Sequence, residues 1–239
     1  MAYQQLTLEQ AAALLRCPER FLREQAMQGD LPHIRQGDNL LFCQEELLNW
    51  SSIHLLDSRK CRKKDPILSE NEHQSQRVLP GNYCSLEGIS PQLKGKSKAS
   101  ILMSLTELAE KTGMLYDSSD FYESLRVREE QASTAMPGGV ALVHPHSHDE
   151  FLFEDSFICM AKSQYPIFFG EENGRATDLF FVVACKDELH LPVLGCLGRL
   201  IAETTLLDDL RLAETAEEML TALYKAEQNP RYQTDESTS

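Results

Sequence analysis

Three histidines, spaced two residues apart, follow an apolar run in the stretch GGVALVHPHSHDE at residues 138–150: His144, His146 and His148. Alternate side chains of an extended chain point to the same face, so these imidazoles could converge on one cation or one anion. The spacing is therefore compatible with a metal site, with a phosphate-accepting site and with a polar loop. The surrounding sequence has to distinguish them.

The metal interpretation rests on a match to the first cupin motif, whose family binds iron, manganese or zinc. Four residues fit that spacing: Gly138, His144, His146 and Glu150. Phe157 replaces the final glycine of the motif, and no histidine that could act as a further ligand stands between Glu150 and His190. We therefore predict no metal and no other cofactor, and keep a cupin-like metal protein as a distant alternative.

The composition is that of an ordinary globular protein, with 239 residues, 42% hydrophobic and 25% charged. No signal peptide or membrane-spanning apolar run is evident, which predicts a soluble cytoplasmic protein. The seven cysteines are scattered without a CxxC pair, which is typical of a reducing compartment. These cysteines are Cys17, Cys43, Cys61, Cys84, Cys159, Cys185 and Cys196.

The net charge of -14 is distributed unevenly along the chain. Residues 1–65 contain nine basic and nine acidic residues, whereas residues 66–239 contain 14 and 28. An acidic surface repels nucleic acid. Any contact with DNA is therefore expected from the first segment.

That first segment predicts a small domain over residues 1–56. QLTLEQAAALLRC and PERFLREQAMQG are periodic enough for two short helices, with Thr7 as the cap of the first. LPHIRQGDNLLF predicts a hairpin, and CQEELLNW predicts a third helix. The order helix, helix, hairpin, helix is typical of a winged helix-turn-helix.

The same residues resemble the excisionase-type, MerR-like helix-turn-helix domain. The match lies in the leading Leu-Thr, the Glu-x-Ala-Ala pair, the G-x-L-P after the second helix and the closing Leu-x-x-Trp. The resemblance implies that Arg20 and Arg23 approach the major groove and that Arg35 lies near the DNA backbone. Residues 1–56 contain only four arginines against seven acids, so we expect weak binding that requires a homodimer or a partner. A fold that binds protein instead is the alternative.

Residues 57–92 are rich in Ser, Pro, Gly and charge, which predicts a mobile linker. Its run RKCRKK has two interpretations, a solvated stretch of charge or an arm that contacts phosphates. Residues 229–239 are predicted to be a disordered tail.

Between these segments, residues 93–228 predict an α/β (α+β) layered domain in which helices flank a sheet. KSKASILMSLTELAEKTG and SSDFYESLRVREEQAST have helical periodicity, with Ser118 or Ser119 as the cap of the second helix. GVALVH, FICMAK and DLFFVVAC are strand-like, and the last is apolar enough to be central and covered on both faces. Three amphipathic helices follow at about 188–203, 205–212 and 215–227.

This domain resembles the type 2 enzyme IIA domain of the sugar phosphotransferase system, the fructose, mannitol and nitrogen-regulatory group. That family has Arg-Glu, then Ser-Thr, then a run of apolar residues ending in Pro-His. It also has His-Leu-x-x-Leu at the start of a later helix, which Asp187 precedes here. The residues that fit are Arg128, Ser133, Thr134, Gly139, Ala141, His144, His190, Leu191 and Leu194.

The resemblance implies that His144 accepts a phosphoryl group, that His190 hydrogen-bonds this group and that Arg128 supports its charge. Thr134 would add a hydroxyl. The residue before His144 is Val143, where the family usually has proline, whereas Pro145 precedes His146. An alignment on the Pro-His pair would therefore make His146 the acceptor. We favour His144 because the segment from Arg128 to His144 matches without a gap.

The function implied is a regulatory phosphoryl carrier that receives phosphate from an HPr-type phosphocarrier protein and couples it to DNA binding or transcription. Neutral imidazole suits this chemistry, because it is both a nucleophile and a good leaving group at neutral pH. The alternative is a catalytically silent interaction module in which the histidines carry no phosphate.

Overall fold

The computed structural model describes residues 5–15, 17–37, 39–57, 78–146, 152–170 and 176–229. The chain divides into two compact units, Met1–Glu70 and Asn71–Ser239. The basic run at 59–64, His148 and the predicted disorder of the tail beyond Asn229 lie outside the described residues.

The N-terminal unit combines three helices with a small antiparallel sheet. Its elements are β1 (Gln5–Thr7), α1 (Leu8–Leu15), α2 (Glu19–Gln28), β2 (Ile34–Gln36), β3 (Asn39–Cys43) and α3 (Gln44–Asp57). The strand order is β1-β3-β2. Thr7 and Gln10 bond each other's backbone N–H, so the first helix begins at the predicted cap. Assignment of this unit to the excisionase-like class stays a prediction.

The second unit alternates strands and helices. Its strands are β4 (Cys84–Leu93), β5 (Ala135–Met136), β6 (Val140–Val143), β7 (Phe157–Ile167) and β8 (Thr177–Ala184). Its helices are α4 (Lys98–Glu110), α5 (Ser118–Gln131), α6 (Asp187–Glu203), α7 (Leu206–Leu212) and α8 (Ala216–Glu227). Helix α5 is capped by the Asp117 carboxylate, which accepts from the N–H groups of Ser119 and Asp120, and not by the predicted serines.

The five strands form one mixed sheet in the order β4-β7-β8-β6-β5. Strand β8 pairs in parallel with β6 and antiparallel with β7, and β4 pairs in parallel with β7. The apolar run of β8 is therefore central, as predicted. Strand β5 pairs antiparallel with β6 and closes the other edge.

The core lies on both faces of this sheet. On one face, the apolar side of α4 and α5, including Leu105 and Phe121, packs with Val182 and the other inward residues of the strands. Alternate strand residues such as Phe181 and Val183 are equally buried, and α6 and α7 contact β8. The mixed, layered α/β architecture predicted from the sequence is confirmed.

The predicted linker extends too far towards the C-terminus. Residues 80–83 form a 3-10 turn, and residues 84–93 form the edge strand β4, so that part of the linker prediction is wrong. Strand β4 includes Gly88 and Pro91, and its pairing with β7 is irregular. Half-exposed edge strands lack the apolar alternation that identifies a strand in the sequence. None of the described helices has the length and apolarity to cross a membrane.

Candidate functional site

The carboxyl ends of the parallel strands β6 and β8 lie side by side and bring two histidines together. His144 follows the last residue of β6, which pairs with Val182 of β8. Helix α6 begins just after β8 and carries His190 in its first turns. The centroids of the two imidazole rings are 5.1 Å apart, with the planes inclined at 62°. Ligands of α/β proteins commonly bind at this edge of the sheet.

Arg128 approaches the same imidazole from the last turn of α5. Its Nε donates to His144 Nε2 over 3.0 Å, and a terminal guanidinium nitrogen donates to the Ala132 carbonyl over 2.9 Å. The planar guanidinium can satisfy both acceptors at once because its donors are fixed in one fork. Arg128 is thereby aimed at a ring nitrogen of the predicted phosphoacceptor.

The second ring nitrogen of His144 determines its tautomer. His144 Nδ1 lies 2.8 Å from the Leu142 carbonyl oxygen, which can only accept a hydrogen bond. Nδ1 must therefore carry the proton, which leaves the Nε2 lone pair to accept from Arg128. The imidazole is thus held neutral, with Nε2 as its nucleophilic atom.

All three side chains are buried, with exposed fractions of 1% for Arg128, 1% for His144 and 0% for His190. Burial lowers the pKa of Arg128 to about 10, and the negative charge of neighbouring Glu129 partly offsets this effect. The guanidinium still carries its charge at neutral pH. A buried cation beside a neutral imidazole is a costly arrangement that suits the binding of an anion.

The Thr134 hydroxyl makes a bond that the sequence did not predict. It donates to Glu129 Oε2 over 2.6 Å, and the Thr134 backbone N–H donates to the same oxygen over 3.0 Å. In this geometry the hydroxyl hydrogen of Thr134 is bonded to the Glu129 carboxylate. Sequence reasoning missed Glu129 as a site residue, although the Arg-Glu pair of the family pattern contains it.

His146 lies two residues beyond His144 but has different surroundings. Its backbone N–H donates to the Ser124 hydroxyl over 3.0 Å, and its ring is only partly buried. Among the described residues, no hydrogen-bond partner is found for its Nδ1. Arg128 and His190 contact His144.

The predicted DNA-contacting arginines belong to the other unit and are exposed. Arg20 Nε donates to Glu24 over 3.1 Å on the surface of α2, and Arg35 Nε donates to the Gly37 carbonyl over 3.3 Å. Arg23 is exposed on the same helix as Arg20. Exposed arginines are accessible to a ligand, but pairing with an acid reduces their positive potential.

The observed architecture of the second unit differs from that of a cupin. The five-stranded sheet is open and mixed, with helices on its faces, whereas a cupin requires a barrel of short strands. Within the described ranges there is no group of three or more His, Cys, Asp or Glu side chains arranged to hold a metal ion.

Comparison with known protein families decides what this architecture is. Residues 82–226 match the model of the phosphoenolpyruvate-dependent sugar phosphotransferase system EIIA 2 family. The chain belongs to this family. The match begins two residues before β4 and ends within α8, so the EIIA domain includes the edge strand that the sequence assigned to a linker.

Individual relatives agree with this assignment of the EIIA domain. A nitrogen regulatory protein of Klebsiella oxytoca is 27% identical over 151 residues, which are 62% of this chain and 91% of that protein. The crystal structure of the nitrogen regulatory protein IIA-Ntr of Neisseria meningitidis superposes with a TM-score of 0.53 at 22% identity, covering 61% of this chain and 99% of that one. IIA mannitol of Escherichia coli superposes with a TM-score of 0.52 at 18% identity, covering 58% and 97%. The two structures establish likeness of fold.

Proposed function

We propose that His144 of this EIIA domain accepts a phosphoryl group on Nε2 and passes it on, as a regulatory phosphoryl carrier. The observation that supports this most directly is the pair of hydrogen bonds on the His144 ring. One bond fixes the proton on Nδ1, and the other aims a buried cation at Nε2. A phosphoryl group bound at Nε2 would lie beside that cation.

The transfer step follows from these positions. The Nε2 lone pair of His144 attacks the phosphorus of the donor's phosphohistidine, and the phosphorus–nitrogen bond of the donor breaks with its electron pair returning to the donor imidazole. The Nδ1 proton stays on the ring, bonded to the Leu142 carbonyl. Since the Arg128 N–H occupies the Nε2 lone pair before transfer, it must turn from that nitrogen to the phosphoryl oxygens. Charge neutralisation and positioning are the main sources of catalysis in such steps.

His190 is the second imidazole of this mechanism. Its ring meets that of His144 edge-on from the first turns of α6, where the helix dipole also favours an anion. A ring N–H of His190 can donate to a phosphoryl oxygen once the group has moved onto His144. Thr134 is the weaker candidate for such a contact, because its hydroxyl is already bonded to Glu129.

The proposed donor is an HPr-type phosphocarrier protein. IIA mannitol of Escherichia coli, which shares the fold, has been solved in a complex with phosphorylated enzyme IIB mannitol. A phosphorylated protein is thus a suitable class of partner for this site. The likeness to a nitrogen regulatory protein supports regulation, and we propose that the N-terminal unit couples the phosphorylation state to DNA binding.

The test is phosphorylation of the full chain with phosphoenolpyruvate, enzyme I and HPr. We expect one phosphate per chain, labile to acid and stable to alkali as phosphohistidine is, and complete loss of it in His144→Ala. The matched control is His146→Ala, which removes the histidine two residues further along the chain. This variant should be phosphorylated normally. Mass spectrometry of the intact protein measures both.

Three other results would contradict the proposal. Phosphate on His146 would show that the Pro-His alignment is the correct one. No phosphate from any cognate donor would favour the silent interaction module. About one metal ion per chain in protein purified without a His-tag, lost on His146→Ala, would restore a metal-binding function.

A further inference from the structure

A buried carboxylate, Glu129, stands next to Arg128 in α5 and accepts four hydrogen bonds while only 4% exposed. Oε1 accepts from Lys98 Nζ at 3.0 Å and from the Ser133 hydroxyl at 3.0 Å. Oε2 accepts from the N–H and the hydroxyl of Thr134. All four hydrogen bonds to the carboxylate thus come from groups of this protein, and its burial shields it from any donor protein.

These bonds fix the chain immediately after α5. Ala132, whose carbonyl accepts from the Arg128 guanidinium, is joined directly to the residues that Glu129 holds. Moving residues 133–134 would therefore move the carbonyl that orients Arg128. One side of the site depends on Glu129 through this connection.

The other side of the site depends on the same carboxylate. The Thr134 carbonyl accepts from the N–H of Leu142 over 3.1 Å, across the junction of β5 and β6. The Leu142 carbonyl in turn accepts from His144 Nδ1. A short chain of bonds thus leads from Glu129 through Thr134 and Leu142 to the imidazole.

We propose that Glu129, with Lys98 as its counter-charge, is a positioning residue that holds Arg128 and His144 in register for phosphoryl transfer. This inference rests on the proposed function. Thr134 then acts through Glu129 and not by contacting phosphate. Lys98 belongs to the first turn of α4, and its Nζ also lies 5.0 Å from the centroid of the Phe169 ring, so it connects this cluster to the segment that follows β7.

The first test is Glu129→Gln, which keeps the shape of the side chain but replaces one accepting oxygen with a donor. We expect kcat for phosphorylation by HPr to fall by about tenfold to a hundredfold, the scale of loss that small misplacements of reacting groups produce. KM for HPr should stay unchanged, because a buried carboxylate does not touch the donor protein. The matched control is Glu130→Gln, one residue along the helix, where the carboxylate is exposed and pairs with Arg126.

The second readout does not depend on activity. The Arg128 Nε–H resonance, assigned by its loss in Arg128→Lys, should exchange slowly with solvent in the wild-type protein because it is buried against His144. Glu129→Gln should speed this exchange and Glu130→Gln should not. Unchanged exchange and unchanged kcat in folded Glu129→Gln would overturn the inference.

Lys98→Met keeps the test decisive if Glu129→Gln does not fold, and a double variant adds a further check if it does. Lys98→Met removes the half-exposed counter-charge and leaves the carboxylate, so it should give a smaller change in both readouts with the same sign. Thr134→Val should add nothing to a Glu129→Gln background if Thr134 acts through Glu129, and independent losses would contradict this. Absence of phosphate on wild-type His144 would contradict the proposed function, whereas the exchange measurement would still report on Glu129.

Discussion

The arginines predicted to be functional lie in opposite environments in the two units of this protein. Arg128 of the EIIA domain is buried, bonds two fixed acceptors and lies against an imidazole. Arg20, Arg23 and Arg35 of the N-terminal unit are exposed, and Arg20 is paired with an acid one helical turn away. Burying a cation costs free energy, whereas an exposed one costs little.

This difference shows which charges the fold itself specifies. An arginine that is retained in a dry interior beside a neutral histidine requires the surrounding backbone to hold it, and that arrangement is costly without a function. Exposed arginines are common on protein surfaces, so their exposure alone does not indicate a binding site. The EIIA site therefore has structural support that the DNA-binding proposal does not have.

The largest effect should come from Arg128→Lys. An ammonium group cannot bond both the Ala132 carbonyl and His144 Nε2 in one plane, so the preorganised donor is lost while the positive charge is retained. We expect the rate of phosphorylation to fall on the order of 10²- to 10³-fold, the range seen when one preorganised donor is removed. Single-turnover transfer from phosphorylated HPr measures it.

Arg126→Lys is the matched control, since Arg126 lies two residues earlier in the same helix and bonds only exposed acids. It should transfer at the wild-type rate. Equal losses in the two variants would mean that helix α5 as a whole, and not the buried fork, supports the reaction.

An intermediate effect is expected for Arg20→Ala combined with Arg23→Ala. If the N-terminal unit binds DNA, this double variant should lose any sequence preference and weaken binding by about tenfold to a hundredfold. The dependence of affinity on salt should become less steep, because fewer phosphate contacts release fewer counterions. Fluorescence anisotropy over a salt series measures both quantities.

The same double variant sharpens the comparison between the units. Phosphorylation of its His144 should equal that of the wild type, because neither arginine belongs to the EIIA domain. Unchanged binding to a selected DNA site would show that α2 is not the recognition helix.

The smallest effect concerns stability at alkaline pH. Burial raises the pKa of Cys159 to about 12, and burial together with the charge of Asp155 does the same for Cys185. In the unfolded chain the pKa of a cysteine thiol is about 8.5. Between about pH 9 and 10 the unfolded state therefore binds fewer protons than the folded state. The free energy of unfolding of the EIIA domain must therefore fall as pH rises, by about 1 kcal/mol per thiol and pH unit.

Cys159→Ala should reduce this slope by about one thiol's share in urea titrations at pH 9 and 10. Arg128 has the opposite sign, because its pKa of about 10 makes the folded state lose this proton first, so near pH 10 it partly offsets the contribution of the thiols in the wild type and the variant alike. A slope that is the same in Cys159→Ala would mean that groups other than this buried thiol control the alkaline behaviour.

The chain's local patterns determined most of the elements. The periodicity of ILMSLTELAE and the unbroken apolar run of DLFFVVAC identified α4 and the central strand β8, because each pattern records which faces are buried. Strand β4 was assigned to the linker because a half-exposed edge strand with Gly88 and Pro91 has no apolar pattern that would identify it.

The histidine motif also narrowed the site to a few candidates, together with Arg128 and His190. Residue type and spacing alone did not separate His144 from His146, and the sequence favoured His144 only through the gapless match from Arg128. The tertiary structure distinguishes them through partners distant in sequence, since Arg128 reaches His144 across 16 residues and His190 reaches it from the helix after β8.

The sequence by itself thus determined the layered architecture, the family and the types of residue that could carry phosphate. Only the tertiary structure decided which nitrogen of His144 faces Arg128, and that the Thr134 hydroxyl and Lys98 bond a carboxylate that the sequence had not singled out. The physical reason is that burial follows local periodicity along the chain. Hydrogen bonds between buried polar groups depend instead on where the sheet places the ends of its strands.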